Sequence, residues 1–372
     1  MRALFKAAAW MSAALVLAAC SSTDKPKPTA LETFEPRIAG RAVWNLRLPG
    51  SALAMTPAVR DGVLFVASGD GTVMALQADT GTELWRASAG SALAAGVGSD
   101  GRYTSVVTRG NEVVTFDAGR EVWRKRVPSS VVTAPLVAGE RVFVMSVDRA
   151  VHAFDALDGR RLWVQQRPGE ALTLAQPGVV LAYRNTLLVG QGPRLAALDP
   201  LNGAVLWEAP MASPRGTNEV ERLADLIGPA VRIGDRVCAR AFQSAVACAD
   251  ASKGSVLWTR NVGGVKAVAS DSDRVFGADA SDRITAWRTT NGDVSWTSER
   301  LLYRGLSGAL SVGPSVVFGD SQGFVHFLSA ADGTLQLRLP TDGSAIAGTP
   351  VISGTTMVVM TRSGSLFAFR PN

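Results

Sequence analysis

The sequence predicts an all-β chain folded as an eight-bladed β-propeller of four-stranded antiparallel blades. One sequence repeat, which we call the phrase, recurs along the chain. One copy is Arg141–Trp163, RVFVMSVDRAVHAFDALDGRRLW. Its segments alternate with period two between turns rich in Gly, Asp and Asn, which is typical of strands and excludes a helical repeat. The phrase returns about every 40 residues, a period that fits one propeller blade.

Six copies of the phrase end in a tryptophan, and a seventh has leucine at that position. The copies are Val63–Trp85, Tyr103–Trp123, Arg141–Trp163, Thr186–Trp207, Arg236–Trp258, Arg274–Trp296 and Ser315–Leu337. Each tryptophan follows a glycine by four residues. A fixed place in every repeat favours packing against the next blade, and the alternative is a set of aromatic platforms for a ligand. We therefore predict a blade-docking role for Trp44, Trp85, Trp123, Trp163, Trp207, Trp258 and Trp296.

The two ends of the chain each supply part of one further blade. Thr356–Phe369 reads as two strands with no tryptophan strand after them. Arg41–Leu48 reads as a tryptophan strand, around Trp44, with no hairpin before it. We expect this N-terminal strand to complete the last blade, because closing the ring in this way removes exposed sheet edges. Seven complete phrases, with one blade each, and one blade shared by the two chain ends give eight blades.

The first 19 residues read as a signal peptide. Arg2 and Lys6 precede the apolar run Ala7–Ala18, which is too short to span a bilayer. The end of this run, Leu17-Ala18-Ala19-Cys20, resembles a bacterial lipoprotein cleavage box. The resemblance implies cleavage before Cys20 and its lipidation, and the alternative is an ordinary secreted protein. Ser21, where an aspartate would favour inner-membrane retention, favours the outer membrane facing the periplasm.

The remaining chain divides into a lipidated, flexible tether at 20–40 and the propeller at 41–372. The tether is rich in Ser, Thr, Lys and Pro and has little to bury. Removal of Arg2 and Lys6 lowers the formal charge from +6 to +4. The charge is spread without a Lys/Arg run, so we expect no nucleic-acid partner.

Two cysteines occupy symmetric positions on the predicted hairpin of the fifth phrase. Cys238 and Cys248 lie five residues on either side of Gln243 at the turn. Such positions face one another, and a disulfide between them is possible in an oxidising periplasm. The alternative is a pair of small buried apolar residues.

The sequence contains no arrangement that indicates catalysis or a metal. His152 and His326 occupy one repeat position, where other copies have residues such as Met74 and Phe367. No Cys/His spacing of a metal site occurs. Ala197–Trp207 resembles the A-x-D-x-x-x-G-x-x-x-W motif of quinoprotein propellers. That resemblance supports the fold more than a cofactor, so we expect no cofactor, and a PQQ-type quinoprotein or other periplasmic propeller enzyme remains the alternative.

The repeat is broken most strongly between Trp207 and Trp258, where 51 residues separate the tryptophans. The excess lies in the polar and charged segment Met211–Gly228. The preceding connection, Gly169–Pro177, contains two leucines, Leu172 and Leu174, that the phrase does not require. Together the two connections would form an apolar patch ringed by charge, which is typical of a protein-binding site. The alternative is a tolerated surface insertion.

The lipobox, the tether, the eight quinoprotein-like blades and these two connections together resemble the BamB family. Its members are lipoproteins of the machinery that assembles β-barrels into the outer membrane. The resemblance implies that the two loops dock onto the periplasmic region of BamA, through Leu172, Leu174, Glu219, Arg222 and Asp225. The family usually has arginine after the second leucine, where this chain has Ala175, and Arg184 is one candidate to replace it.

The resemblance implies a non-enzymatic scaffold of the BAM complex, anchored in the outer membrane, that assists the insertion and folding of β-barrel proteins. Its partners would be BamA, other BAM subunits and the membrane through the lipid. Unfolded barrel strands are a further possible partner, because the outermost strands of the blades have open edges.

Overall fold

The computed structural model describes residues 26–50, 55–167, 172–214 and 216–372. These residues form eight four-stranded antiparallel sheets, as the sequence predicts. The predicted signal peptide, Cys20 and the first part of the tether lie outside the described residues. Within these ranges no helix has the length and apolar character needed to span a bilayer.

The first four blades follow the chain in order. Blade one contains β2 (Ala58–Arg60), β3 (Val63–Ala67), β4 (Thr72–Gln77) and β5 (Glu83–Ser88); blade two contains β6 (Gly98–Ser99), β7 (Tyr103–Val107), β8 (Glu112–Asp117) and β9 (Arg120–Arg126); blade three contains β10 (Leu136–Ala138), β11 (Arg141–Met145), β12 (Val151–Asp155) and β13 (Arg161–Gln165); blade four contains β14 (Val180–Tyr183), β15 (Thr186–Gln191), β16 (Arg194–Leu198) and β17 (Val205–Pro210). Each blade is a simple up-and-down meander.

The second four blades repeat this plan, except that the eighth contains both ends of the chain. Blade five contains β18 (Leu226–Ile233), β19 (Arg236–Ala241), β20 (Ala245–Asp250) and β21 (Ser255–Arg260); blade six contains β22 (Ala269–Ser270), β23 (Arg274–Ala278), β24 (Ile284–Arg288) and β25 (Val294–Ser298); blade seven contains β26 (Leu310–Val312), β27 (Ser315–Gly319), β28 (Phe324–Ser329) and β29 (Leu335–Pro340); blade eight contains β30 (Ile346–Ser353), β31 (Thr356–Thr361), β32 (Ser365–Pro371) and β1 (Gly40–Arg47). The predicted ring closure is confirmed, because β1 pairs antiparallel with β32.

The core lies between the blades. The described apolar side chains form clusters that each span two neighbouring blades, such as the one that joins Leu64 of blade one to Val358 of blade eight. The first strand of each blade contacts the first strand of the next one around the axis. This arrangement buries both faces of every sheet and leaves mainly the outermost strands and the two end faces to solvent.

Each predicted docking tryptophan lies on the glycine of the following blade. Trp258 packs on Gly292, where a Cβ atom would lie only 2.6 Å from the indole, and its Nε1 donates to the carbonyl of Thr289 at 2.9 Å. The glycine also has a positive φ of 74°, which an L side chain rarely adopts. The same glycine contact recurs for Trp44, Trp85, Trp123, Trp163, Trp207 and Trp296. Packing therefore explains the tryptophan repeat.

The second half of the predicted tether is docked on blade seven. We call residues 29–38 the N-terminal strap. The amide of Thr29 donates to the carbonyl of Leu302 at 3.0 Å, and the ring of Phe34 lies 5.2 Å from the guanidinium of Arg338. Near its end, the amide of Arg37 donates to the carbonyl of Gln336 in β29 at 2.8 Å. This part of the tether is therefore not a free linker, because its apolar residues pack between polar contacts.

The fifth blade carries the predicted cysteine pair on neighbouring strands. Cys238 of β19 is directly opposite Cys248 of β20, and the structure joins their sulfur atoms in a disulfide. Both residues are almost completely buried in the cluster that connects blades five and six.

Candidate partner-docking site

The site lies on the end face where successive blades are joined. The connection from β13 to β14 is described over 166–167 and 172–179, and the connection from β17 to β18 over 211–214 and 216–225. The β11–β12 turn, which contains Arg149, lies beside both. Three consecutive blades therefore contribute to one surface.

Asp225 is the residue that joins these three segments. Its Oδ2 accepts a hydrogen bond from the backbone amide of Leu174 at 2.9 Å. Its Oδ1 accepts one from Nη2 of Arg149 at 3.0 Å. Only 15% of the Arg149 side chain and 17% of the Asp225 side chain are exposed. An ion pair with this little solvent contact is only weakly screened by salt, so it holds the loops in one position.

The backbones of the two connections are also bonded to each other. Gly228 donates its amide to the carbonyl of Pro177 at 2.8 Å, and Gly178 forms an isolated bridge with Ile227. A Cβ atom at Gly228 would lie 2.1 Å from the carbonyl oxygen of Gly178. Glycine is therefore required for the close approach that makes the two loops one unit.

The outer part of the longer connection is a compact polar turn. The Glu221 carboxylate accepts from the amide of Thr217 at 2.7 Å, and Asn218 Oδ1 accepts from the amide of Glu221 at 2.9 Å. The hydrogen bonds that its carboxylate accepts, first that from the Thr217 amide, hold the pKa of Glu221 below its usual range. Glu219 and Val220 project from the turn, and Val220 is 68% exposed.

The structure brings together most of the residues that the resemblance implicates. Asp225 accepts the amide of Leu174 and lines the same cavity as Leu172, and Arg149 contacts the carbonyl of Leu172. Arg222 lines the same cavity as Leu172 and Asp225. Glu219 is exposed on the polar turn several residues away in the chain. Arg215 and the start of the Gly169–Pro177 connection lie outside the described residues.

Arg149 was not among the residues predicted from the sequence, and Arg184 was one candidate for the missing arginine. Arg184 pairs with Asp235 at 2.9 Å on an exposed part of the molecule, in the β14–β15 turn at the other end of blade four. Arg149 has a φ of 65° at a hairpin turn position where glycine occurs in other blades, as at Gly71. An arginine in this conformation is uncommon. The signal available in the sequence was an arginine at a turn position that holds glycine in another copy of the repeat.

Both histidines are buried in the sheets. His152 is 3% exposed and His326 is fully buried against Asp320, with Nε2 2.9 Å from the carboxylate. Burial lowers the pKa of His326, in opposition to Asp320. Over the described ranges, no group of three or more His, Cys, Asp or Glu residues is arranged to hold a metal ion.

The fold is an eight-bladed β-propeller, and two connections between its blades form the candidate interaction surface. The family model described as "Outer membrane protein assembly factor BamB" matches residues 21–90 and 69–298. The chain belongs to the BamB family.

Two curated relatives carry that same name. The protein of Burkholderia pseudomallei is 36% identical over 366 residues, which covers 97% of this chain and 96% of the relative. The protein of Bordetella pertussis is 33% identical over 376 residues, with coverage of 99% and 97%. The likeness therefore extends over almost the whole of each protein.

Solved structures share the fold at lower identity. The crystal structure of BamB from Moraxella catarrhalis matches with a TM-score of 0.81 and 22% identity, covering 89% of this chain and 99% of that one. The quinohemoprotein alcohol dehydrogenase of Comamonas testosteroni matches with a TM-score of 0.69 and 15% identity, covering 89% and 76%. At these identities the matches show the propeller fold alone.

Proposed function

We propose that this chain is a non-enzymatic scaffold of the BAM complex that binds the periplasmic region of BamA and assists the insertion and folding of β-barrel proteins. One observation carries the proposal. Two connections that depart from the repeat are fixed against each other by Asp225, which bonds to Arg149 and to Leu174. A preformed surface of this kind loses little conformational freedom on binding.

The chemistry of the surface suits a protein partner. Leu172 and Leu174 are only partly buried, so a partner can cover them and gain apolar burial. The ion pair of Arg149 with Asp225 lies beside them, and Arg222 lines the same cavity as Leu172. An apolar centre within a polar rim is the usual composition of a protein interface.

The proposal includes a lipid anchor at Cys20, after cleavage of a signal peptide at 1–19. Several acyl chains would hold the protein on the inner leaflet of the outer membrane, facing the periplasm, because each buried methylene contributes about 0.8 kcal/mol. The propeller of residues 41–372 would then be the binding module. Mass spectrometry of the processed protein tests this, and an unmodified Cys20 would remove the anchor from the proposal.

We also propose that the outermost strands of the blades contact the client proteins, which are unfolded β-barrel proteins. Leu84, Leu206, Leu257 and Val294 are 45–56% exposed on four different outer strands. An extended segment of an unfolded barrel protein can add to such an edge by main-chain hydrogen bonds. Photo-crosslinkers placed at these four positions test the idea, and it is dropped if no client is captured at any of them.

The main experiment is a titration of the mature protein, purified in detergent, against the periplasmic region of the cognate BamA. The variant Leu172→Ala/Asp225→Ala is titrated in parallel. We expect micromolar or tighter binding by the wild type and a loss of at least about tenfold in the variant, equivalent to 1.4 kcal/mol. Leu257→Ala/Asp235→Ala is the matched control, since it removes the same residue types elsewhere on the propeller.

The possible results separate the function from the site. We call the two connections, Gly169–Pro177 and Met211–Gly228, the docking loops. Binding that survives in the Leu172→Ala/Asp225→Ala variant would retain the scaffold and reject the docking loops as its binding site. Wild-type protein that does not bind would reject the scaffold, and a PQQ titration would then test the enzyme alternative. Circular dichroism of both variants checks that the propeller remains folded.

A further inference from the structure

Two guanidinium groups hold the N-terminal strap by its main chain. Arg304 has only 3% of its side chain exposed, and its Nη1 donates to the carbonyl of Thr29 at 2.9 Å. Arg338 of β29 donates from Nη1 to the carbonyl of Glu32 at 3.1 Å. The guanidinium of Arg338 also lies over the ring of Phe34, 5.2 Å from its centre. The position of the strap therefore depends on where these two side chains are held.

His326 of β28 lies between Arg338 and one buried carboxylate. Its Nε2 is 2.9 Å from Oδ2 of Asp320, and both side chains are fully buried. Nε of Arg304 donates to the same carboxylate oxygen at 2.8 Å. A carboxylate only accepts hydrogen bonds, so Nε2 of the histidine carries the hydrogen and Nδ1 is left as an acceptor. Nε of Arg338 donates to that Nδ1 at 3.4 Å. The neutral imidazole is therefore the link between the carboxylate and Arg338.

Three charged groups face the imidazole of His326, and they are Asp320 in the β27–β28 turn, Arg304 in the connection from β25 to β26, and Arg338 in β29. The charged group of the strap, Glu32, pairs with Arg300 instead. Burial opposes the charged form of Asp320, but hydrogen bonds, first that from the histidine, hold its pKa below the usual range. Burial lowers the pKa of His326, and Asp320 acts in the opposite direction. The imidazole is therefore neutral at about pH 7 and gains a proton only below about pH 6.5.

We propose that protonation of His326 releases the N-terminal strap from blade seven. The added proton would lie on Nδ1, the atom that now accepts from Arg338, so this hydrogen bond is lost and two cations face each other. Asp320 does not compensate, because Arg304 already shares its carboxylate. Arg338 then withdraws from the imidazole, and its contacts with the strap are lost with it. A freed strap can span up to about 35 Å, so acid would lengthen the chain between the propeller and its N-terminal end. The inference does not depend on the proposed function.

The test measures hydrogen exchange of the strap in the full chain, purified in detergent, from about pH 8 to about pH 5. Exchange is expressed as protection relative to an unstructured peptide at the same pH, which removes the intrinsic effect of pH. The amides of Thr29 and Arg37 report on the strap, because both donate to carbonyls of the propeller. We expect them to lose protection at least about tenfold below about pH 6.5. The strands β31 and β32 should keep their protection, because the ring stays folded.

The variant His326→Gln should keep the strap docked at every pH in this range. Its amide can donate to Asp320 and accept from Arg338, but it does not gain a proton. The matched control is His152→Gln, which changes the same residue type at the equivalent repeat position of blade three and should leave the acid release unchanged. Glu32→Gln removes the carboxylate of the strap itself, and we expect the acid release to persist in it.

Three results would overturn the proposal. Protection of the wild-type strap that does not change with pH would mean that acid does not release it. Loss of protection by His326→Gln in acid would mean that another group titrates, and loss of the acid response in Glu32→Gln would assign the release to the strap carboxylate. Thermal unfolding checks that each variant is folded. If His326→Gln does not fold, Arg338→Met decides instead, because its strap should be less protected at about pH 8 and should no longer respond to acid. A wild-type acid response in Arg338→Met would reject the mechanism.

Discussion

Arg149 and Asp225 are 76 residues apart in the chain, yet their side chains are 3.0 Å apart across two blade boundaries. The same carboxylate accepts the amide of Leu174. One aspartate therefore connects a hairpin turn of blade three, the connection into blade four and the connection into blade five. The docking loops depend on this contact for their shape.

Replacement of Asp225 by asparagine should loosen the docking loops without opening the propeller. The neutral amide cannot form the ion pair, and the buried guanidinium of Arg149 is left unpaired. We expect a loss of about 1–3 kcal/mol in the free energy of unfolding and faster hydrogen exchange at the amide of Leu174. Asp235→Asn, in an exposed pair with Arg184, is the control and should cost less than about 1 kcal/mol. Unchanged exchange at Leu174 would contradict the role of Asp225.

Removal of one docking tryptophan should destabilise the ring strongly. Trp258 is 5% exposed and hydrogen-bonded to the next blade, so Trp258→Ala should cost about 3–5 kcal/mol in denaturant unfolding. Leu257→Ala, one residue earlier and 45% exposed, is the control with little expected effect. Gly292→Ala should also destabilise, because its Cβ would collide with the indole. A small effect of Trp258→Ala would favour the ligand-platform interpretation of the tryptophans.

Stability should fall as the pH drops below about 6.5, the ordinary histidine value. Burial lowers the pKa of His152 and of His326. The unfolded chain then binds protons at a pH where the folded chain does not, so acid favours unfolding. Each histidine contributes a slope of at most about 1.4 kcal/mol per pH unit. Thermal unfolding between pH 5 and pH 8 at roughly half-unit steps measures the slope.

His152→Met separates the two histidines. The repeat places Met74 at the equivalent position, and Nε2 of His152 has no partner among the described residues, so methionine should be accepted without a large loss. We expect the variant to be at least as stable as the wild type at pH 5 and to have a shallower dependence on pH. An identical pH profile would show that His152 does not titrate in this range.

The cysteine pair of blade five should be oxidised in protein isolated from the periplasm. Thiol titration of the mature protein, unfolded without reductant, should find no free thiol at Cys238 or Cys248. By chain entropy, a bond across ten residues should stabilise the fold by about 2–3 kcal/mol, which reductant would remove. Two free thiols would instead favour two small buried apolar residues. Cys238→Ala/Cys248→Ala is the control that reductant should not affect.

The sequence was sufficient for the blades because their signal is repeated. The tryptophans and their glycines recur at fixed offsets, so the fold, the number of blades and the strand that closes the ring were all predicted. Leu172, Leu174 and Asp225 could be proposed from the sequence because they lie where the repeat is broken. The repeat does not indicate which side chains Asp225 contacts, so its ion pair with Arg149 was not predicted.

The N-terminal strap was missed for a different reason. The strap lies in a predicted tether that has many polar residues and three prolines, Pro26, Pro28 and Pro36, a composition typical of a free linker. Three apolar residues, Leu31, Phe34 and Ile38, pack against blades six, seven and eight. Arg304 donates to the carbonyl of Thr29 at 2.9 Å. Residues of the last three blades supply these contacts, and the composition of the segment itself does not indicate them.

The strap also determines how the closed ring responds to mechanical load. Tension that arrives from the N-terminal direction reaches the strap before it reaches β1, the strand that closes blade eight. The hydrogen bonds of Thr29 with Leu302 and of Arg37 with Gln336 must yield first. The contacts of the strap with blade seven therefore protect the pairing of β1 with β32. A force applied at the N-terminal end would detach the strap before it opens the ring.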